Sequence, residues 1–313
     1  MLKVQKLFWV KVKMKAKTLI NQIKPSPIKI SWIKGLEKID VNRPLVILAL
    51  GVRGAGKSAF LEALAEHYLA KGHIVLDLFG SRSGEGLAWL RSQWVTKLRL
   101  PTLIVKGENI NIKFQSKPIN IDIKNWNELN LKTIESYRII ISASPLYYNI
   151  NEEFKAVNYI MNQLFKRLGW TKYICIVCRE SANLFYSRLK HKENQKFAKA
   201  ETIYLIREAR HHGLALLMDT QKLTAVDIDL RMLCDYIIFK RQGMFTIPRD
   251  LWWIYRYIEP SWLQKCHQKY FIIMSNKANL GLGIFQMAKW HKRARENILR
   301  ALKIKVEKHK AKE

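Results

Sequence analysis

The chain has 313 residues, 49% of them hydrophobic and 11% aromatic, enough for one large α/β domain with appendages but not for two equal domains. The formal net charge is +30: residues 1–36 hold nine lysines and no acid, and residues 289–313 hold ten basic residues against three acids. Unless it serves solubility alone, this charge favours a polyanionic partner, either nucleic acid or an anionic membrane surface.

Membrane-spanning and secreted classes are disfavoured. No run approaches the roughly 18 apolar residues that a membrane helix requires, and lysines interrupt the first residues, where a signal peptide would have its apolar core. We therefore expect a soluble, cytoplasmic protein. Four cysteines lie at positions 175, 178, 234 and 266. Because they sit within apolar runs, we interpret them as buried thiols rather than as disulfides, a redox pair or a zinc site.

The first 43 residues are predicted to form a basic extension. Apolar residues alternate with lysines from Val10 to Lys17, which indicates a strand with a row of lysines, and Pro25 and Pro27 mark a linker.

A complete G-x-x-x-x-G-K-[ST] motif follows at residues 51–58, which we call the P-loop. The apolar run Leu45–Leu50 before it suits a buried strand, and Ala59–Lys71 after it suits a helix that ends at Gly72. Backbone amides of such a loop bind the phosphates of ATP, Lys57 reaches the β- and γ-phosphates, and the Ser58 hydroxyl ligates Mg²⁺. The predicted nucleotide-binding residues are Gly51, Arg53, Gly54, Ala55, Gly56, Lys57, Ser58 and Ala59.

Strands and helices then alternate along the chain. Strands are predicted over residues 73–79, 137–142, 173–178, 214–219 and 236–240, with helices over 152–168 and 201–212. Two alternating apolar runs within residues 102–126 predict a β-hairpin insertion. This order indicates an α/β fold, a parallel sheet with helices on both faces.

The segment from Arg207 to Gln221 narrows the interpretation. A helix ending in an arginine-containing turn and Gly213, followed by an apolar strand that ends in Thr220-Gln221, resembles the HerA/FtsK branch of RecA-like ring ATPases. The segment 225–233, a strand, and Ile247-Pro248 also resemble that branch, which includes DNA pumps, conjugative coupling proteins and viral packaging motors. The resemblance implies a RecA-like ATPase domain over residues 44–290, carrying the insertion at about 102–126, and a basic C-terminal helix or tail over 291–313.

The resemblance also implies roles for particular residues. Gln221 matches the polar sensor of the γ-phosphate or attacking water, and Glu180 matches the catalytic glutamate that activates this water. The family places an aspartate for Mg²⁺ before that glutamate, whereas this chain has Arg179. Either another carboxylate substitutes, with Asp219 the first choice and Asp77 the second, or hydrolysis is weak.

Ring ATPases of this kind place an arginine of one subunit against the phosphate held by the next. Arg210 and Arg207 are the main candidates, because they lie three residues apart on the helix before the sensor strand, and Arg231 and Arg241 are lesser ones. The implied assembly is a homo-oligomer, most simply a hexamer. Double-stranded DNA contacts are expected from the 82–85 loop, from residues 188–192 or from the lysine-rich hairpin.

The sequence thus predicts an ATP-driven translocase of double-stranded DNA, serving genome packaging or DNA transfer together with viral or conjugative partner proteins. A composition rich in Ile and Lys suits a hot habitat and suggests an archaeal mobile element. The alternative is a nucleotide-dependent regulatory or structural P-loop protein with weak hydrolysis, whose basic N-terminus binds an anionic membrane surface.

Overall fold

The computed structural model describes residues 23–34, 39–115, 120–185, 193–221, 231–243, 249–277, 279–293 and 295–309. The predicted strand over residues 10–17, the 188–192 segment, residues 225–230 and Ile247-Pro248 lie outside this part of the chain.

The described residues form thirteen strands and eight α-helices. The strands are β1 (Ile28–Lys34), β2 (Val46–Leu50), β3 (Ile74–Phe79), β4 (Thr102–Lys106), β5 (Ile110–Phe114), β6 (Ile121–Asn125), β7 (Ile139–Ile141), β8 (Ile174–Cys178), β9 (Leu214–Thr220), β10 (Tyr236–Phe239), β11 (Tyr270–Ser275), β12 (Leu280–Phe285) and β13 (Ile304–Lys308). The α-helices are α1 (Lys57–Ala70), α2 (Gln93–Thr96), α3 (Leu131–Ser136), α4 (Ile150–Phe165), α5 (Glu193–Arg207), α6 (Ala209–His212), α7 (Pro260–Lys265) and α8 (Ile298–Ala301). Short 3-10 helices cover Glu85–Arg91, Trp126–Glu128, Ser144–Leu146, Ser181–Asn183 and Arg249–Arg256.

One 11-stranded sheet organises the chain, in the order β1-β12-β11-β10-β2-β9-β8-β3-β7-β4-β6. Pairing is parallel from β10 to β6 and antiparallel from β10 through β11 and β12 to β1. The strand before the P-loop, β2, therefore lies between β10 and β9, although β3 follows it in the chain. In such open parallel sheets, ligands bind in the crevice beyond the carboxyl ends of the strands.

Both faces of the sheet are covered, as expected for buried parallel strands. Successive residues of β2 point to opposite faces: Leu48 belongs to the apolar cluster that includes α4 residues, and Ile47 belongs to the cluster that includes α1 residues. The predicted α/β fold class is thus confirmed. Within the described ranges, no helix combines the length and the apolar character needed to cross a membrane. All four cysteines are free and buried.

The predicted β-hairpin insertion is wrong. The runs within residues 102–126 do not pair as a hairpin: β6 pairs in parallel with β4 in the main sheet, whereas β5 pairs antiparallel with β13. Within the predicted C-terminal helix or tail, residues 298–301 form a short helix and residues 304–308 form a strand. A period-two pattern identifies a strand but not its partner, and here the partner of β5 lies far away along the chain.

Candidate functional site

The P-loop connects β2 to α1 in a conformation that requires glycine. Gly54 and Gly56 have φ values of 72° and 81°, in the left-handed region. A Cβ atom on Gly56 would lie 3.3 Å from Cβ of Gln268, so the loop also passes close to the segment that precedes β11. The amide of Gly51 donates to the Thr220 carbonyl at 3.2 Å and ties the start of the loop to the end of β9.

A cavity of about 570 Å³ opens above this loop. It is lined by seven of the predicted nucleotide-binding residues, namely Arg53, Gly54, Ala55, Gly56, Lys57, Ser58 and Ala59. Gly51 does not line the cavity. The Lys57 ammonium donates to the carbonyl of Val52, within its own loop, at 3.2 Å. The backbone amides and Lys57 thus form a cradle that suits the phosphates of a nucleotide.

Asp219 lies against Ser58. Ser58 Oγ donates to Asp219 Oδ2 at 2.9 Å, and the carboxylate is only 1% exposed. Burial raises the pKa of Asp219, Lys57 opposes this shift, and the nearby Glu180 carboxylate adds to it. A hydroxyl oxygen and a carboxylate oxygen are the hard donors that Mg²⁺ prefers beside substrate phosphates. These two side chains therefore fit the predicted Mg²⁺ site.

Glu180 lies at the same sheet edge, two residues beyond the end of β8, and lines the cavity. Its amide donates to Asp219 Oδ1 at 2.6 Å, and Gln221 Nε2 donates to Glu180 Oε1 at 2.9 Å. Its backbone is left-handed, with φ 45° and ψ 50°, a conformation that costs a non-glycine residue on the order of 1–3 kcal/mol. The structure thus brings Glu180, Gln221 and Asp219 together beside the P-loop.

Gly80 makes this arrangement possible. It follows β3 with a φ of 78°, and a Cβ atom there would lie 1.8 Å from the Arg179 carbonyl oxygen. The Arg179 amide in turn donates to the Phe79 carbonyl at 2.8 Å. Because only glycine permits this approach, the turn that carries Glu180 rests directly on the end of β3.

Arg179 itself points away from the metal site into the protein. Its Nε lies 3.1 Å from Asp77 Oδ1, its Nη2 also binds Asp77, and its Nη1 lies 3.0 Å from Glu62 Oε1. Burial alone would lower the pKa of Arg179, but Asp77 and Glu62 raise it, so the guanidinium stays charged. Asp77, the second-choice metal ligand, is fully buried in this ion pair and does not line the cavity. That choice was therefore wrong.

Arg207 and Arg210 lie at the opposite edge of the sheet. They precede Leu214, the first residue of β9, whereas the P-loop follows Leu50, which pairs with Thr220 at the other end of β9. Seven residues of strand separate the two edges by roughly 20 Å at about 3.3 Å per residue. The backbone at both positions therefore lies at the edge of the sheet away from the nucleotide cavity of its own chain.

Several cavity residues were not predicted from the sequence. Ser83 and Glu85 come from the loop that was expected to contact DNA, and Gln268 comes from the turn before β11. A further group follows β12: Met287, Ala288, Lys289, His291, Lys292 and Arg293. More than 200 residues separate Gln268 and the group after β12 from the P-loop, so no spacing in the sequence relates them to it.

No family model and no curated protein matches the chain. Solved structures do resemble it. The genome packaging NTPase B204 from Sulfolobus turreted icosahedral virus 2, in complex with ATP-gammaS, is 16% identical, with a TM-score of 0.39 over 78% of this chain and 98% of that one. The conjugation coupling protein TcpA of pCW3 is 14% identical, with a TM-score of 0.40 over 84% of this chain and 66% of that one.

The type VII secretion ATPase EccC of Thermomonospora curvata (ATPases 2 and 3) is 10% identical, with a TM-score of 0.45 over 87% of this chain and 42% of that one. A packaging NTPase and a conjugation coupling protein are among the kinds of protein that the sequence resemblance names. The TM-scores of these three structures are all below 0.5.

Proposed function

We propose that this chain is a Mg²⁺-dependent ATPase that moves double-stranded DNA. The observation that carries the hydrolytic part is the convergence of Asp219 on Ser58 and of Gln221 on Glu180, at 2.9 Å each, beside the P-loop cavity. A phosphate cradle, a metal-binding pair and a carboxylate for water activation are the parts that ATP hydrolysis requires.

The chemistry follows from these positions. Backbone amides of the P-loop and Lys57 bind the phosphates. Ser58 and Asp219 would hold Mg²⁺, whose charge would offset that of the phosphate oxygens. Glu180 accepts a proton as a water oxygen bonds to the γ-phosphorus and the bond to the bridging oxygen breaks. The amide of Gln221 holds the carboxylate of Glu180 and leaves the other carboxylate oxygen for this proton.

Coupling to DNA is supported by charge and by topology. A net charge of +30 attracts the phosphate backbone without selecting a sequence. Because the backbone of Arg207, in α5, and of Arg210, in α6, lies at the far edge of the sheet, we infer that either arginine, if it acts in catalysis, acts on a neighbouring subunit. We therefore propose a homo-oligomeric ring, most simply a hexamer, which serves genome packaging or DNA transfer.

The test is ATP turnover with and without long duplex DNA. Wild type is compared with Lys57→Ala and with Lys71→Ala, a matched loss of an exposed lysine just beyond α1. We expect DNA to stimulate wild type and Lys71→Ala, and Lys57→Ala to be inactive. Turnover that is unchanged in Lys57→Ala excludes this site.

A second measurement separates DNA from membrane partners. Affinity for duplex DNA should fall with salt at a slope of roughly −0.9 per phosphate contacted, so several contacts give a slope of several units. Binding to anionic vesicles without stimulation by DNA would instead support the membrane-binding alternative. That alternative rested on weak hydrolysis due to Arg179, and the position of Asp219 at Ser58 favours hydrolysis.

A further inference from the structure

Residues 286–293, which follow β12 and which we call the strap, cross the P-loop helix. Trp290 Nε1 donates to Glu66 Oε1 at 2.7 Å, and His291 Nδ1 lies 2.6 Å from Glu62 Oε2. Both glutamates belong to α1 and are buried. The strap is thus attached by side-chain hydrogen bonds to the helix whose amino end forms the phosphate cradle.

A second element fixes the backbone of the strap. Arg91 donates from Nε to the Trp290 carbonyl at 2.7 Å and from Nη2 to the His291 carbonyl at 2.8 Å. Its Nη1 also binds Glu296 Oε1 at 2.6 Å, so the chain is held on both sides of Lys292. These hydrogen bonds fix the backbone on either side of Lys292 and so restrict the position of its side chain.

Lys292 is buried in this strap and forms no salt bridge with any described residue. It is 7% exposed and lines the P-loop cavity. Its ammonium donates one long hydrogen bond, 3.4 Å, to the Arg293 carbonyl. Among the described residues, no carboxylate forms an ion pair with it within 4 Å: Glu296 pairs with Arg91, and Glu85, which accepts from Ser83, attracts Lys292 only from a longer distance. A buried lysine that lacks a partner costs free energy, unless an anion enters the cavity.

We propose that Lys292 is a second phosphate-binding lysine, which acts on the nucleotide held by the P-loop of its own chain. The inference rests on the proposed function for the identity of the anion, the polyphosphate of a nucleoside triphosphate. Lys57 then binds the phosphates from the loop and Lys292 from the strap. Residues of the strap and of the P-loop line the same cavity.

The test compares Lys292→Met, which removes the charge at nearly constant volume, with Lys292→Arg, which keeps it. Lys305→Met, an exposed lysine on β13, is the matched control. We expect Lys292→Met to bind ATP about 10- to 100-fold more weakly by calorimetry, as for loss of a charge-assisted hydrogen bond. Lys292→Arg should retain most of the affinity, and Lys305→Met all of it.

Melting temperature without nucleotide distinguishes a ligand contact from a structural role. Loss of an unpaired buried charge should leave the melting temperature of Lys292→Met equal to or above that of wild type. Unchanged ATP affinity in Lys292→Met, or weaker binding accompanied by a lower melting temperature, would overturn the assignment of Lys292 and leave the ATPase intact as a proposal. Failure of wild type to bind ATP would overturn both.

Discussion

Replacing Arg179 by Met tests whether this arginine is structural. The guanidinium and both carboxylates that it contacts are almost fully buried, at 2% side-chain exposure for Arg179 and 0% for Asp77 and Glu62. Removing one partner of a buried ion pair costs about 3–5 kcal/mol, because the other charge is left unpaired. Since domains are stable by only about 5–15 kcal/mol, Arg179→Met should lose a large part of its free energy of unfolding.

The loss should depend on pH. Burial raises the pKa of Asp77 and Arg179 opposes that shift, so the pKa of Asp77 in the folded variant rises further. A carboxyl group whose pKa is raised by folding contributes stability that is lost as pH rises through its folded value. Arg179→Met should therefore be more unstable relative to wild type at pH 8 than at pH 5, as measured by urea unfolding.

The matched control is the double variant Arg179→Met with Asp77→Asn, which removes both charges and keeps an acceptor for Trp89 Nε1, now 3.1 Å from Asp77. Glu62 keeps His291 as a partner. We expect the double variant to recover at least half of the lost stability, and to keep ATP turnover within about tenfold of wild type. A single variant within about 1 kcal/mol of wild type, or a double variant as unstable as the single one, would refute the structural role.

Three other predictions concern the site and the assembly. Glu180→Gln should bind ATP and hydrolyse it at least ~100-fold more slowly in a steady-state assay, and full activity would remove Glu180 from catalysis. Burial raises the pKa of Glu153 from 4.5 to about 7; its folded form therefore loses about 3 kcal/mol of stability as pH rises from below 4.5 to above 7, and Glu153→Gln should remove this slope in urea titrations at several pH values. Mixing Lys57→Ala with Arg210→Ala subunits should restore turnover at mixed interfaces if Arg210 acts across subunits, whereas mixed rings that form without activity would exclude that role.

The centre of the site could be predicted because local patterns determine it. The P-loop spacing specifies its own backbone, and the apolar runs before it and before Glu180 specify buried strands. The resemblance implied the roles of Glu180 and Gln221, and Asp219 was the first choice to replace the missing aspartate. Parallel strands have their carboxyl ends at one edge of the sheet, which places these residues on the side of Lys57. The sheet register confirms that β9, which carries Asp219, pairs with β2.

The rest depends on contacts between distant parts of the chain. The pairing of β5 with β13 and the contact of Lys292 with the P-loop cavity join segments whose own patterns fit several partners. The basic residues around Lys292 indicated attraction to polyanions in general, but charge alone does not distinguish a DNA phosphate from a nucleotide phosphate. The packing of Trp290 and His291 on α1 places Lys292 at the P-loop cavity.

The inward orientation of Arg179 is related to the position of Asp219 beside Ser58. Asp219 contacts Ser58 and is our proposed metal ligand, so the proposed site needs no ligand at position 179, and Arg179 faces inward. There it meets Asp77 and Glu62, two buried carboxylates that need a cation. An aspartate at position 179 would add a third carboxylate beside Asp77 and Glu62 and would remove the arginine that pairs with them. It would therefore destabilise the turn that positions Glu180. Arg179→Asp should therefore fail to fold stably rather than create a metal site. The packing of Arg179 against Asp77 and Glu62 thus accounts for an arginine at the position where the resembled family has an aspartate.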